Sequence, residues 1–224
     1  MASTRLPLAT FRLWTRYFRY EVEGFENIAD AEPSVVAAYH GGPWAFDLWM
    51  LATRMHDELG YFPRACWHPG WWRIPAVGRI VTDLGGLPGR PSDGQMRELK
   101  SRGQHIVFAP GGPEEGLRPF WEGHRVHFGR HRGYARVALA HDMPIIPVVA
   151  SGLDRTFIGL NSGPAWLGLG VGGSWPLALP FPVKIRQRIG HPIRASAADG
   201  LEAVHAEVVA TLQSMLDDLA AEER

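Results

Sequence analysis

Short, largely apolar runs with a glycine or proline within two residues of their end recur along this chain. Val35–Tyr39 is one such run, His105–Ala109 a second and Ile145–Ala150 a third. Runs of this length without polar alternation predict strands buried on both faces. Tyr20–Gly24 alternates polar and apolar residues and predicts a first strand, while residues 61–67 and 184–190 predict two others. Between them lie stretches of helical period: Pro43–His56, Asp93–Arg102 with Ser92 as its N-cap, Gly133–His141, and a long amphipathic Leu201–Glu222. Arg73–Asp83 reads as a short helix or turn, and Gly85–Gly89 as a turn-rich segment. Strands alternating with helices predict one layered α/β domain spanning residues 1–224, with a mainly parallel central sheet flanked by helices.

Two segments stand outside this pattern. Residues 8–20 place Leu8, Phe11, Leu13, Trp14, Tyr17 and Phe18 on one broad helical face, with Arg12, Arg16 and Arg19 alongside. Two readings fit: an amphipathic N-terminal helix packed on the core, or one lying at a membrane surface. Ile158–Val183 carries no charged residue, yet Pro164, Pro176, Pro180 and Pro182 would break a spanning helix repeatedly. It reads as an irregular loop over the core, or as a greasy lip that meets lipid or an acyl chain.

The bulk numbers narrow the class. A length of 224 residues suits one sizeable core, and a formal net charge of zero gives no overall pull toward nucleic acid. Cys66 is the single cysteine, which excludes an intramolecular disulfide and fits a reducing compartment. No long apolar leader precedes the first arginines. Nine tryptophans and ten phenylalanines are a heavy aromatic load, of the kind favoured where protein meets a lipid interface.

The candidate chemistry sits at the end of the first buried run. His40 follows Tyr39, a Gly41-Gly42-Pro43 turn comes next, and Asp47 falls on the predicted helix beyond it. Open α/β sheets hold their ligands at the C-terminal ends of strands. A histidine whose ring is oriented by a carboxylate can take a proton from a hydroxyl near pH 7. The pattern supplies no serine or cysteine nucleophile beside it, so the attacking oxygen is expected to belong to a substrate. No Gly-x-Ser-x-Gly elbow surrounds Ser151-Gly152, which argues against an α/β-hydrolase. His124, His127 and His131 have metal-ligand spacing, but Gly123 and Gly129 interrupt the helix they would need, and no metal is expected. Cys66 reads as buried filler.

Four blocks in order carry a resemblance to a known family. They are Ala38-Tyr39-His40 through Asp47; Ile74-Pro75-Ala76-Val77-Gly78 with Leu84–Arg90; Val107-Phe108-Ala109-Pro110-Gly111-Gly112-Pro113-Glu114-Glu115; and Met143–Val148. Gly133-Tyr134-Ala135-Arg136-Val137-Ala138 lies between the last two. Together they resemble the glycerolipid acyltransferase superfamily, lysophospholipid acyltransferases included, over about residues 20–193. The resemblance implies a glycerol-phosphate acyltransferase-like fold and transfer of a fatty acyl group from acyl-CoA or acyl-carrier protein to the hydroxyl of a lipid or other hydrophobic alcohol. No cofactor beyond that co-substrate is implied.

The resemblance assigns His40 as general base and Asp47 as its orienting acid. Backbone N–H groups near Gly41 or Gly42 fall where an oxyanion would form. Gly111 and Gly112 would allow close approach of a ligand, and Glu114 or Glu115 would hydrogen-bond an acceptor hydroxyl or orient a neighbouring arginine. Arg90 and Arg118 are candidates for donor phosphates.

Two departures from the family pattern bear on function. Six residues separate His40 from Asp47, where the usual motif has four. The third block resembles the Pro-Gly-Gly-x-x-Glu form of diacylglycerol-type acyltransferases more than Phe-Pro-Glu-Gly-Thr-Arg, whose arginine is associated with an acceptor phosphate. The first departure keeps open a catalytically silent lipid-binding protein on this fold; a thioesterase or esterase using water with the same, intact pair is a further alternative. A cytoplasmic location, with peripheral contact to the inner membrane face through residues 8–20 and 158–183, completes the expectation.

Overall fold

The computed structural model describes residues 2–42, 45–67, 69–116, 123–156, 158–159, 174–175, 180–196 and 198–223. Seven strands form one sheet in the order β1 (Glu21–Glu23), β9 (Arg186–Ile189), β6 (Ile145–Ser151), β2 (Val35–Ala38), β5 (Ile106–Phe108), β3 (Arg64–Trp67) and β4 (Gly86–Pro88). Every pairing is parallel except β6 with β9. A separate antiparallel pair joins β7 (Ile158–Gly159) to β8 (Ser174–Trp175); the rest of the uncharged 158–179 stretch lies outside the described residues.

Helices cover both faces, as a mainly parallel sheet requires. On one face α5 (Asp93–Ser101), α7 (Gly133–His141) and α8 (Leu201–Glu222) bury Met96, Leu99, Ala135, Ala138, Val208, Leu212 and Leu216 against Val35, Ala37, Ile106 and Ile145. On the other, α2 (Glu26–Ala29) and α3 (Phe46–Leu59) pack Ile28, Leu51 and Met55 against Val36, Ala38, Ile146 and Val148. The alternation of side chains along β2 divides Val35 and Ala37 from Val36 and Ala38 between these two cores. This is why its sequence is apolar throughout.

The N-terminal helix α1 (Ala2–Tyr17) docks on α3 through stacked aromatic rings. Phe11 lies 4.5 Å from Trp49 and Trp14 4.5 Å from Phe46, centroid to centroid. Arg12 adds a two-pronged ion pair to Asp57, with N–O distances of 2.6 and 3.2 Å. The inner face of the amphipathic segment thus belongs to the core, with Phe18 completely buried. Its outer face keeps Leu6 and Leu13 in solvent, 77% and 65% exposed. Among the described residues no helix is long and apolar enough to cross a membrane.

Several boundaries differ from the sequence expectation. Gly85–Gly89, read as a turn, contains edge strand β4, paired to β3 from Ala65–Gly86 to Trp67–Pro88. Within Arg73–Asp83, read as a short helix or turn, lies helix α4 (Pro75–Asp83), with proline in its first turn and a 3₁₀ turn (Pro69–Arg73) before it. The predicted Ser92 cap is present as a full capping box: Ser92 accepts from the Gln95 N–H, and Gln95 accepts from the Ser92 N–H at 2.9 Å.

Candidate active site

The central strand β2 ends between β5 and β6, and three loops meet there. His40 follows β2, the Pro110-Gly111-Gly112 turn follows β5, and a 3₁₀ turn, Leu153–Arg155, follows β6. His40 is half-buried and sits on the turn into α3. Gly41 lies so close to the 3₁₀ turn that a Cβ there would fall 2.5 Å from Leu153 Cδ1. Its place in the motif is thus set by packing as well as by any use of its N–H.

Helix α3 begins at Phe46, three residues later than the sequence predicts. Ala45 caps it in a left-handed conformation, φ 50°, and donates its N–H to Gly42 O at 3.2 Å. Pro43 and Trp44, which precede this cap, lie outside the described residues. Asp47 then falls in the first turn of α3 and is fully buried. Neither of its carboxylate oxygens nor His40 Nδ1 has a hydrogen-bond partner, so the expected direct His40–Asp47 hydrogen bond is not formed.

Burial dominates the protonation of both groups. It pushes Asp47 up to about 7, against the pull of the Leu48 and Asp47 N–H groups and with help from the nearby Glu115 and Asp154 carboxylates. It lowers His40 to about 4, opposed by the carbonyls of His40 and Gly42. His40 is thus a neutral imidazole at pH 7, the form that can accept a proton.

The third block contributes a short helix, α6 (Gly112–Gly116), absent from the sequence expectation. Glu115 is completely buried in it and accepts from the backbone N–H of His40 at 2.8 Å and of His127 at 2.7 Å. Burial raises it to about 7, opposed by those two donors. Its carboxylate is thus held by two of the protein's own backbone N–H groups. Gly111 makes room for that side chain, since a Cβ there would meet Glu115 Oε2 at 2.3 Å. Gly112 takes a left-handed φ of 51°, and Glu114 is exposed.

Gly116 is a site residue the sequence reading missed. A Cβ on it would lie 2.7 Å from His40 Cε1 and 2.8 Å from Nδ1, so only glycine lets the ring rest there. The signal was in the sequence: Glu115-Gly116-Leu117-Arg118 matches three of four residues in the Glu-Gly-Thr-Arg tail of the phosphate-associated pattern. Arg118 itself lies outside the described residues.

Arg90 is exposed just beyond β4, three strands from β2. At about 4.8 Å per strand, that is on the order of 14 Å across the sheet. Cys66 is pushed up to about 12 by burial and is no thiolate. No group of three metal-binding side chains occurs among the described residues.

Comparison with known proteins shows what this fold is similar to. A crystal structure of the 1-acyl-sn-glycerophosphate (LPA) acyltransferase PlsC from Thermotoga maritima superposes with a TM-score of 0.62 over 97% of this chain and 79% of that one, at 18% identity. The fold is that of the glycerolipid acyltransferases. In sequence, the chain is 28% identical over 201 residues to a human "DGAT1/2-independent enzyme synthesizing storage lipids", covering 88% of this chain and 61% of that protein. Its counterpart in Gallus gallus is 28% identical over 211 residues, 91% of this chain and 62% of the relative. The chain therefore spans about three-fifths of the length of these relatives. No family profile matches it. On the acyltransferase fold, the loop after β2 holds the His40 block and the loop after β5 the Glu115 block.

Proposed function

We propose that this protein is an O-acyltransferase that moves a fatty acyl group from a thioester donor, acyl-CoA or acyl-carrier protein, to the hydroxyl of a lipid or other hydrophobic alcohol. The observation that carries the proposal is a half-buried His40 at the C-terminal end of the central strand of this fold. His40 accepts the alcohol proton as the oxygen bonds to the acyl carbon. The carbon–sulfur bond then breaks, and the departing thiolate takes that proton from the imidazolium. Backbone N–H groups at Gly41 and Gly42 are the candidates to hold the oxyanion.

Asp47 is the acid proposed to stabilise the imidazolium, a state absent from the resting site. A buried carboxylate near pH 7 gains most from a new positive charge beside it, because the interior screens that charge poorly. The missing hydrogen bond between the two residues favours a second reading, a lipid-binding protein without turnover. Incubation with acyl-CoA and a panel of long-chain alcohols, with and without phosphate, separates the readings. Free thiol with a new ester supports transfer, and free fatty acid alone indicates a thioesterase. Lipid binding with no thiol release would leave the binder.

We further propose that the protein meets a membrane surface peripherally, on the cytoplasmic face. Leu6 and Leu13 on α1 and Ile74 and Ile80 at α4 are all exposed, and α1 packs against α4. Arg5, Arg16, Arg73 and Arg79 flank these positions in the sequence. Replacing both Leu6 and Leu13 with glutamate is expected to reduce flotation with anionic liposomes at least tenfold, while folding is retained because both side chains are in solvent. Equal flotation of the two proteins would remove α1 from the contact.

A further inference from the structure

We infer that Glu115 and Gly116 are positioning residues that together fix the imidazole of His40: Glu115 by holding the His40 backbone, Gly116 by giving the ring its resting place. The inference rests on His40 being the reacting base and assigns how its geometry is set. Two independent contacts converge on that one residue. The Glu115 carboxylate bridges the His40 N–H and the His127 N–H, tying the end of β2 to the 123–128 segment. The next residue, Gly116, lies against Cε1 and Nδ1 of the same ring.

Sequence neighbours on a short helix thus hold opposite ends of one side chain, its backbone anchor and its ring. The surrounding glycines serve this arrangement. Gly111 leaves the space that the Glu115 side chain occupies. A carboxylate suits the bridge because it offers acceptors to two N–H groups at once, whereas an amide must turn its NH₂ toward one of them. A general base loses rate steeply when displaced by as little as an ångström, so its supports are expected to appear in turnover and to spare binding.

The test uses Glu115→Gln and Gly116→Ala in the whole protein, with ¹³C-labelled histidine. In both variants the His40 ring signals are expected to move, while those of His141 and His205 on the far helices stay. With an acyl-CoA and alcohol pair that supports thiol release, Glu115→Gln is expected to lower kcat at least tenfold and to change both KM values less than twofold. A raised acceptor KM with kcat intact would overturn the inference and return Glu115 to substrate binding. Unmoved His40 signals in the folded variants would overturn it too. If Glu115→Gln fails to fold, Gly116→Ala decides by the same two readouts. If the unmodified protein releases no thiol, the acyltransfer reading falls, and the His40 signals alone decide the positioning claim.

Discussion

Replacing His40 with alanine is expected to lower thiol release by about 10²–10⁴-fold, the usual contribution of a general base. The loss should appear in kcat with donor and acceptor KM little changed, because the neutral ring contributes mainly once a proton begins to move. The fold should persist. Gly116 beside the ring offers no side chain that depends on it, and the Glu115 bridge uses the His40 backbone N–H, which alanine keeps. Equal rates from both proteins would end the catalytic assignment of His40.

Asp47→Asn tests the second member and gives the other large effect. With Asp47 raised to about 7, its carboxylate is half protonated at neutral pH. Only the ionised form can stabilise an imidazolium, so kcat/KM is expected to rise tenfold per pH unit below about 7 and to level above it. Glu115 is raised into the same range, which is why the substitution decides the origin of the limb. In Asp47→Asn the rise should vanish and the plateau fall by on the order of 10². Persistence of an unchanged rising limb in that variant would exclude Asp47 as its source.

The same substitution has a signature in stability. Between its ordinary value of 3.8 and about 7, folded Asp47 keeps a proton that the unfolded chain has released. Its contribution to stability therefore falls as pH rises through that window. His40 has the opposite sign: held down at about 4, it favours the folded state increasingly between pH 4 and 6.5. Chemical denaturation of the two proteins at pH 5 and pH 8 isolates Asp47. Asp47→Asn should gain on the unmodified protein at the higher pH, and an unchanged difference between the two would contradict the buried-acid assignment.

What could be read from the residues alone follows from how local each cause was. Strands β2, β5 and β6 were legible because burial on both faces leaves a continuous apolar run, and α5 because its capping box lies in four consecutive residues. The start of α3 was not, since Ala45 adopts a left-handed conformation that alanine does not prefer and that only the surrounding loop imposes. Strand β4 hid inside a glycine-rich stretch because its pairing with β3 is a tertiary event. His40 was found through its place after an apolar run. The role of Glu115 could not be, because the N–H groups it serves lie 75 residues before it and 12 after.

One topological detail bears on how the molecule is made. Among the described strands, β1 pairs only with β9, and β9 reaches β6 in the opposite direction. Arg186 and Arg188 of β9 clasp Glu23 of β1 and Glu222 at the end of α8. A chain leaving the ribosome can assemble the β2–β6 centre while the first strand still waits for a partner more than 160 residues downstream. The sheet margin beside α1 is thus closed last, and loss of the C-terminal helix would be felt first at the opposite terminus.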